Sequence, residues 1–173
     1  VLNSLSDIWD DRIKINNHLI GDVWRHKAAT ATDATTGLVP FHKLSQWLTY
    51  SLLEPLMWDG TVVTGVDQLT GLAEYRNGGL LIDTGLLVPK SPQVTSRDWS
   101  PDHEVIIEWR SATVQLLDVI AKRIQHELGK TPTTFPLACV LEGGTWAAGR
   151  KIASQKRDGG LPPLNIISQG TLF

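Results

Sequence analysis

The chain has 173 residues, of which 42% are apolar and 20% charged, which suits one globular domain with a sizeable core and excludes a disordered chain. The formal charge of −2 is spread along the sequence without a basic run, so neither nucleic acid nor an anionic membrane surface is an expected partner. No apolar run approaches the roughly 18 residues that a membrane-spanning helix needs. We therefore expect a single domain over residues 1–173.

The N-terminus and the cysteine content indicate the cellular setting and the extent of the protein. The lone Cys139 allows no disulfide and lies in an apolar stretch, where a small buried thiol is expected. The N-terminus lacks the basic and apolar pattern of a secretion signal, which favours a reducing, cytoplasmic location. The chain begins at Val1, without methionine, and runs almost at once into helix-like sequence. We expect it to be an incomplete, C-terminal part of a longer protein.

Periodic apolar residues predict two helices in the first third of the chain. From Leu5 to Lys27 the apolar positions recur roughly every three to four residues, which places them on one helical face. Residues 28–37 are aperiodic and typical of a loop. A second helix is expected to begin at Pro40 and to end near Pro55, because proline suits a first helical turn and disfavours helical geometry in the residue before it.

The later part of the chain contains one irregular stretch and two predicted helices. Residues 61–88 consist of short apolar groups broken by glycines and predict irregular structure. The clearest helix follows, with Ser100 as the expected N-cap, Pro101 as its first residue and Gly129 just past its end. A last helix is expected over residues 137–155, before a glycine- and proline-rich turn. These elements predict a mainly α fold.

Several kinds of active site are disfavoured by spacing alone. None of the five histidines has a second histidine, a cysteine or a carboxylate at a recognised zinc spacing, so no metal site is expected. There is no Gly-x-Ser-x-Gly elbow for serine catalysis, and Gly78–Gly79 lacks the spacing of a phosphate-binding loop. We expect no metal ion or organic cofactor.

Three short segments concentrate polar residues in apolar surroundings: Phe41–Gln46, Leu72–Asn77 and Leu141–Trp146. Two of them carry a carboxylate beside glycine or aromatic residues. Cleavage of a glycosidic bond needs such a group, because its transition state resembles an oxocarbenium ion that a nearby anion stabilises. Glycines beside the acid let the backbone approach a ligand closely.

Four longer segments resemble the signature segments of a known family. They are PFHKLSQWL at residues 40–48, LTGLAEYRNGGL at 69–80, PDHEVIIEWR at 101–110 and LEGGTWAAGR at 141–150. In this order they are similar to the uracil catabolism protein four (Urg-type) family, over nearly all of the chain. The resemblance implies a role in the breakdown of uracil by way of ribosylurea. Members of the family are longer at the N-terminus, as expected if this chain is a C-terminal part.

The same segments are more distantly similar to the queuosine salvage nucleosidases. Those helical proteins are related to helix-hairpin-helix DNA glycosylases, so the similarity implies a glycosylase-like helical domain. Carried over by position, the relatives' catalytic aspartate corresponds to Glu74, with a side chain longer by about one methylene. Their base-pocket residues correspond to Leu72 and Ala73, and their late ligand-binding pair to Glu142 and Trp146. A substrate-contacting histidine of the relatives has no counterpart here, and their second late aspartate is replaced by Ala147.

Each of these residues also has a purely structural interpretation. Glu74 is equally suited to a salt bridge with Arg76 or Lys43, and Glu142 to a position in a first helical turn, where a carboxylate favours the helix dipole. Trp146 is suited to a place in the core. His42 and Lys43 are further candidates for substrate contact. The sequence does not show which of the two faces a pocket.

The two resemblances together predict hydrolysis of an N-ribosidic bond in a ribosylurea-type or uracil-derived nucleoside or nucleotide. Glu74 would stabilise the ribosyl cation or attack C1′, while Glu142 and Trp146 hold the ribose or the leaving group. The expected partner is therefore a small ribosylated molecule. The alternative is a non-catalytic ligand-binding or scaffolding subunit of uracil degradation. A DNA glycosylase is disfavoured because the sequence has no basic face.

Overall fold

The computed structural model describes residues 13–167, and about half of these are helical, in keeping with the predicted mainly α class. The helices are α1 (Lys43–Trp58), α2 (Tyr75–Asp83), α3 (Glu104–Glu127), α4 (Leu137–Val140) and α5 (Ala147–Lys156), with a π-helical segment (Leu141–Trp146) that joins the last two. Short 3₁₀ turns lie at Val66–Gln68, Pro92–Thr95 and Asp158–Gly160. The strands are β1 (Lys14–Ile15), β2 (His18–Leu19), β3 (Val23–Arg25), β4 (Leu38–Pro40), β5 (Asp98–Trp99) and β6 (Asn165–Ile166).

The strands of the described residues pair into three two-stranded sheets. Strands β1 and β2 form an antiparallel hairpin, and β3 pairs antiparallel with β4. Strands β5 and β6 are parallel and come from distant parts of the chain. The β3–β4 pair brings the residues before α1 close to residue 22, where the candidate site begins.

The first predicted helix is wrong wherever the structure describes it. Residues 5–12 of that prediction lie outside the described part of the chain, and residues 13–27 contain β1, β2 and β3 instead. Asn16 and Asn17 make the turn between β1 and β2, and both have positive φ (49° and 64°). Two-residue hairpin turns favour this backbone, which asparagine tolerates well. The local turn chemistry therefore outweighs an apolar pattern that short strands also accommodate.

Helix α1 begins and ends later than predicted. Pro40 belongs to β4, and the helix starts at Lys43 after His42, whose backbone is left-handed (φ 49°). Pro55 lies in the last turn, and the helix continues to Trp58. A proline removes one backbone donor there, and a helix of 16 residues tolerates that loss near its end.

Helix α2 lies in the stretch predicted to be irregular, and its glycines serve close packing. A Cβ on Gly78 would lie 2.7 Å from Thr113 Oγ1 of α3. A Cβ on Gly149 of α5 would overlap the carbonyl oxygen of Arg76 in α2. Without side chains at these two positions, α3 and α5 approach the backbone of α2 directly. Tertiary packing thus overrides the low helix propensity of glycine.

The long helix α3 is confirmed, with a shifted start. It begins at Glu104 with His103 as its N-cap, whereas the sequence favoured Ser100. The Nδ1 atom of His103 accepts a hydrogen bond of 3.2 Å from the backbone N–H of Val105. The predicted end is correct, since Gly129 follows the C-cap with φ 61°.

The last predicted helix is also confirmed, and it contains the π-helical segment. The hydroxyl of Thr145 in that segment donates a hydrogen bond of 2.8 Å to Asn77 Oδ1 of α2, and both side chains are buried. The segment is therefore anchored to the start of α2. Cys139 is exposed, so the expected buried thiol is wrong, because α4 turns Val140 to the core instead.

Buried apolar side chains form three clusters among residues 13–167. The first contains Trp24, Phe41, Ala73 and Ile107 and joins β3, the β4–α1 connection, the start of α2 and α3. This cluster positions the candidate site. Within the described part of the chain, no helix is both long enough and apolar enough to cross a membrane.

Candidate functional site

A buried ion pair between Asp22 and Arg110 links the elements that form the site. Both carboxylate oxygens of Asp22 accept hydrogen bonds of 2.8 Å from the two Nη atoms of Arg110, and each residue is only 1% exposed. Trp24 Nε1 donates a further hydrogen bond of 2.6 Å to this carboxylate, and the backbone N–H of Lys43 donates one of 3.1 Å. Burial raises the pKa of Asp22, but these donors and the charge of Arg110 outweigh it and hold that pKa below its ordinary value.

Arg110 also fixes the two segments that carry the predicted site residues. Its guanidinium lies 4.0 Å from the ring centroid of Phe41, and its Nε donates a hydrogen bond of 3.4 Å to the carbonyl of Ala73. Because planar guanidinium groups stack on aromatic rings and donate from a rigid fork, one side chain aligns both segments. The sequence pattern also predicts that Glu108 and Arg110 lock α3 to residues 72–76 through a buried ion pair. Arg110 makes such a link through its hydrogen bond to Ala73, whereas Glu108 does not. Glu108 is exposed, and its carboxylate lies 3.4 Å from His26 Nε2.

Glu74 is the N-cap of α2, and its carboxylate is used there. Its backbone is extended (φ −112°, ψ 146°), and its two oxygens accept hydrogen bonds from the backbone N–H groups of Arg76 (2.9 Å) and Asn77 (3.2 Å). The structural role of this carboxylate is therefore that of a helix cap, whereas the alternative interpretation of the sequence was a salt bridge with Arg76 or Lys43. Burial raises the pKa of Glu74 above its ordinary value, against the lowering effect of the two capping bonds and of the charges of Lys43 and Arg76.

Lys43 brings a positive charge close to Glu74. It is the first residue of α1, and its side chain is half-buried. Burial lowers the pKa of Lys43, while the negative charge of Glu74 raises this pKa and the positive charge of Arg110 lowers it. No ion pair within 4.0 Å joins Lys43 and Glu74 in the described part of the chain. Lys43 and Glu74 thus interact through their charges. The pKa of Lys43 is lowered and that of Glu74 is raised.

His42 lines a cavity beside this pair. The cavity has a volume of about 340 Å³ and is bounded by residues 39–42 and Gln46, by Thr70, and by Ser111, Val114 and Gln115 of α3. The Nδ1 atom of His42 is buried and has no hydrogen-bond partner among residues 13–167. Burial lowers the pKa of His42, and the charge of Arg110 lowers it further against the opposing charge of Asp22. The imidazole is therefore uncharged at neutral pH.

One wall of the cavity is held rigid by hydrogen bonds between α1 and the loop before α2. Gln46 Nε2 donates to the carbonyl of Phe41 (3.0 Å) and to Thr70 Oγ1 (2.9 Å), and its Oε1 accepts from the backbone N–H of Thr70 (2.8 Å). The hydroxyl of Tyr50 donates to the carbonyl of Thr70 (2.9 Å). Burial, with the charge of Asp118, raises the pKa of Tyr50 to about 12. The phenol therefore stays protonated and remains a donor.

Leu72 and Ala73 are core residues beside Glu74. Leu72 packs with Leu117 and Leu141 in one buried cluster, and Ala73 belongs to the cluster of Phe41. The Leu72 carbonyl accepts hydrogen bonds from the backbone of Glu74 (2.8 Å) and from Asn77 Nδ2 (3.4 Å). Both residues thus set the path of the chain into the Glu74 cap.

Glu142 and Trp146 lie on the exposed side of the π-helical segment. Trp146 is 38% exposed, and the guanidinium of Arg150 lies 5.7 Å from its ring centroid. Within residues 13–167, no hydrogen bond or ion pair connects either side chain to Glu74. The segment as a whole is tied to α2 by the Thr145–Asn77 hydrogen bond, so Glu142 and Trp146 are linked to Glu74 indirectly.

Sequence reasoning missed the polar residues that organise the site, Asp22, Gln46 and Thr70. Asp22 was assigned to a helix, although a carboxylate between Ile20 and Val23–Trp24 interrupts an apolar run and is a signal of a buried polar role. No local signal identifies its partner. No group of three or more histidine, cysteine or acidic side chains suited to a metal ion occurs between residues 13 and 167.

Comparisons with known proteins identify the family. Protein urg3 of Schizosaccharomyces pombe is 39% identical over 175 residues, which cover 98% of this chain and 42% of that protein. Uracil catabolism protein 4 of Lachancea kluyveri is 35% identical over 196 residues, which cover 100% of this chain and 44% of that protein. The chain thus spans less than half the length of these curated relatives. No solved structure matches it. The family model described as "Protein of unknown function (DUF1688)" matches residues 1–173, and the chain belongs to this family.

Proposed function

We propose that the protein acts in uracil degradation by hydrolysing the N-ribosidic bond of a ribosylurea-type or uracil-derived nucleoside or nucleotide, with Glu74 as its catalytic carboxylate. The name of the Lachancea kluyveri relative supports the pathway. The order of the motifs shared with the queuosine salvage nucleosidases supports the reaction and a glycosylase-like fold. The observation that carries the proposal is the mostly buried Glu74 carboxylate, which has a raised pKa and lies beside a half-buried lysine.

This arrangement has the two charges that N-riboside hydrolysis uses. As the C1′–N bond breaks, positive charge develops on the ribose and negative charge on the leaving nitrogen, and water adds to C1′. An ionised Glu74 stabilises the ribosyl cation and accepts a proton from the attacking water. The Lys43 ammonium, with its lowered pKa, donates a proton to the leaving nitrogen. Leu72 and Ala73 shape the approach to Glu74, and Glu142 with Trp146 holds the ribose.

The test is Glu74→Gln, assayed by the release of urea or ribose from N-ribosylurea. Glutamine keeps an oxygen that can accept a capping hydrogen bond, so the fold should survive, while loss of the anion should reduce turnover by about a hundredfold to ten-thousandfold. Glu54→Gln is the matched control, since Glu54 is exposed on α1. Glu74→Gln protein that keeps its circular dichroism spectrum and its activity would refute the mechanism.

A second candidate function is non-catalytic ligand binding or scaffolding within uracil degradation. The observation in its favour is that both Glu74 oxygens already accept backbone hydrogen bonds, so the carboxylate has a structural role without any reaction. Calorimetry distinguishes the two functions. Saturable binding of N-ribosylurea without release of urea or ribose would favour this second candidate.

A further inference from the structure

The cavity beside α1 has walls of two kinds. The ring of Phe41 and the side chain of Val114 give it apolar surface, and both belong to or pack against the same buried cluster. Ser111 and Gln115 are four residues apart on α3 and therefore lie on one face of that helix. His42 faces them from the start of α1. The volume of about 340 Å³ is that of a small ligand site.

The hydrogen-bonding groups of the cavity fall into a used set and an unused set. The amide of Gln46 is fully engaged with Phe41 and Thr70, so it serves as a rigid wall. The side chains of His42, Ser111 and Gln115 make no hydrogen bond with any residue in the range 13–167. Ser111 is half-buried and Gln115 is exposed, so a ligand in the cavity can reach both side chains.

The lack of charged side chains in the lining favours an uncharged ligand. No lysine, arginine, aspartate or glutamate lines the cavity, and burial keeps the His42 imidazole neutral by lowering its pKa. A phosphate or carboxylate in this space would lose its hydration without gaining a counter-charge. A glutamine amide and a serine hydroxyl each offer a donor and an acceptor, which matches the alternating donors and acceptors on the edge of a planar amide.

We infer that this cavity binds an uncharged planar ureide or pyrimidine, with Ser111 and Gln115 forming hydrogen bonds to its amide edge and Phe41 packing against its face. The inference deepens the proposed function and rests on it for the choice of ligand. It implies that the base or urea part of the substrate enters the cavity without a charged substituent. Specificity for the ligand would then come from Ser111 and Gln115 on α3, whereas Glu74 lies at the start of α2.

The test compares uracil with orotate, which is the same ring carrying a carboxylate. Isothermal titration of the protein should give saturable binding of uracil at neutral pH and binding of orotate at least about tenfold weaker. Ser111→Ala and Gln115→Leu should each weaken uracil binding by roughly twofold to tenfold, the loss of one neutral hydrogen bond. Gln155→Leu is the matched control, because Gln155 is exposed on α5 and away from the cavity.

Each result decides for or against the inference. Absence of saturable uracil binding, orotate binding as tight as that of uracil, or equal affinities in the Gln115→Leu and Gln155→Leu variants would overturn it. Glu74→Gln separates this outcome from that of the proposed function. Suppose that the wild-type protein does not cleave N-ribosylurea but that the Glu74→Gln variant still binds uracil. The cavity assignment would then stand, and the proposed hydrolase activity would be refuted.

Discussion

Replacing Asp22 by asparagine should destabilise the protein more than an ordinary surface change. Four donor groups converge on this carboxylate: two guanidinium nitrogens of Arg110, the indole N–H of Trp24 and the backbone N–H of Lys43. Asparagine removes the negative charge and turns an NH₂ group toward one of these donors. Arg110, 1% exposed, would then lose the counter-charge that Asp22 supplies in the interior.

The expected loss is about 3–5 kcal/mol of unfolding free energy, the usual result of removing one partner from a buried ion pair. This is a large part of the roughly 5–15 kcal/mol that stabilises a typical domain. With a urea m-value of about 2 kcal/mol per molar, the unfolding midpoint should fall by about 2 M. Circular dichroism at increasing urea concentration measures it.

Glu127→Gln is the control, because the Arg123–Glu127 ion pair is exposed and should contribute little. A second signature follows from pH. The native pKa of Asp22 lies below its ordinary value of 3.8, so its contribution is present above that pH and is lost as the pH falls through the native pKa. The difference between wild type and Asp22→Asn should therefore shrink in acid. An Asp22→Asn midpoint equal to that of Glu127→Gln would refute the structural role of the pair.

Two further predictions concern α2. Gly149→Ala should lower the unfolding free energy by about 1–3 kcal/mol, because its methyl group overlaps the carbonyl oxygen of Arg76, whereas Gly143→Ala has open space and should not destabilise. Equal urea midpoints for the two variants would contradict the close contact. Carboxyl NMR titration of Glu74 should give a midpoint above the ordinary 4.5, since burial raises its pKa. The contribution of Glu74 to the free energy of unfolding is then fully present below pH 4.5 and is lost as the pH rises through its native pKa. Over that range the stability of Glu74→Gln relative to wild type should therefore increase. A midpoint below 4.5 would mean that the capping bonds outweigh burial.

The helices that were predicted correctly are those with strong local signals. Helix α3 has a long apolar stripe and a glycine just past its end, and the last helix has a similar stripe, so both follow from the chain alone. Helix α2 was missed because Gly78 and Gly79 lower its propensity. Its stability comes from the packing that those glycines permit, and that packing is invisible in a single local window.

The candidate site was predicted in part. Motif order selected Glu74, while His42 and Lys43 were two candidates for substrate contact. The structure brings the charges of Glu74 and Lys43 together. It also shows that the Glu74 carboxylate caps a helix that was not predicted, so its hydrogen bonds could not have been anticipated. Of the two candidates for substrate contact, His42 lines the cavity and Lys43 does not, and substrate contact by either stays a prediction. Glu142 and Trp146 remain predicted contacts on an exposed surface.

The sequence alone determined the helical class, the ends of the best-patterned helices and the family, because each depends on residues close together in the chain or on the order of its motifs. Only the tertiary structure decided that Arg110 pairs with Asp22, 88 residues away. Which opposite charges meet across such a distance in the sequence depends on how the buried elements pack. The free energy of a charge in the interior depends on what surrounds it in space, and a linear pattern does not specify those surroundings.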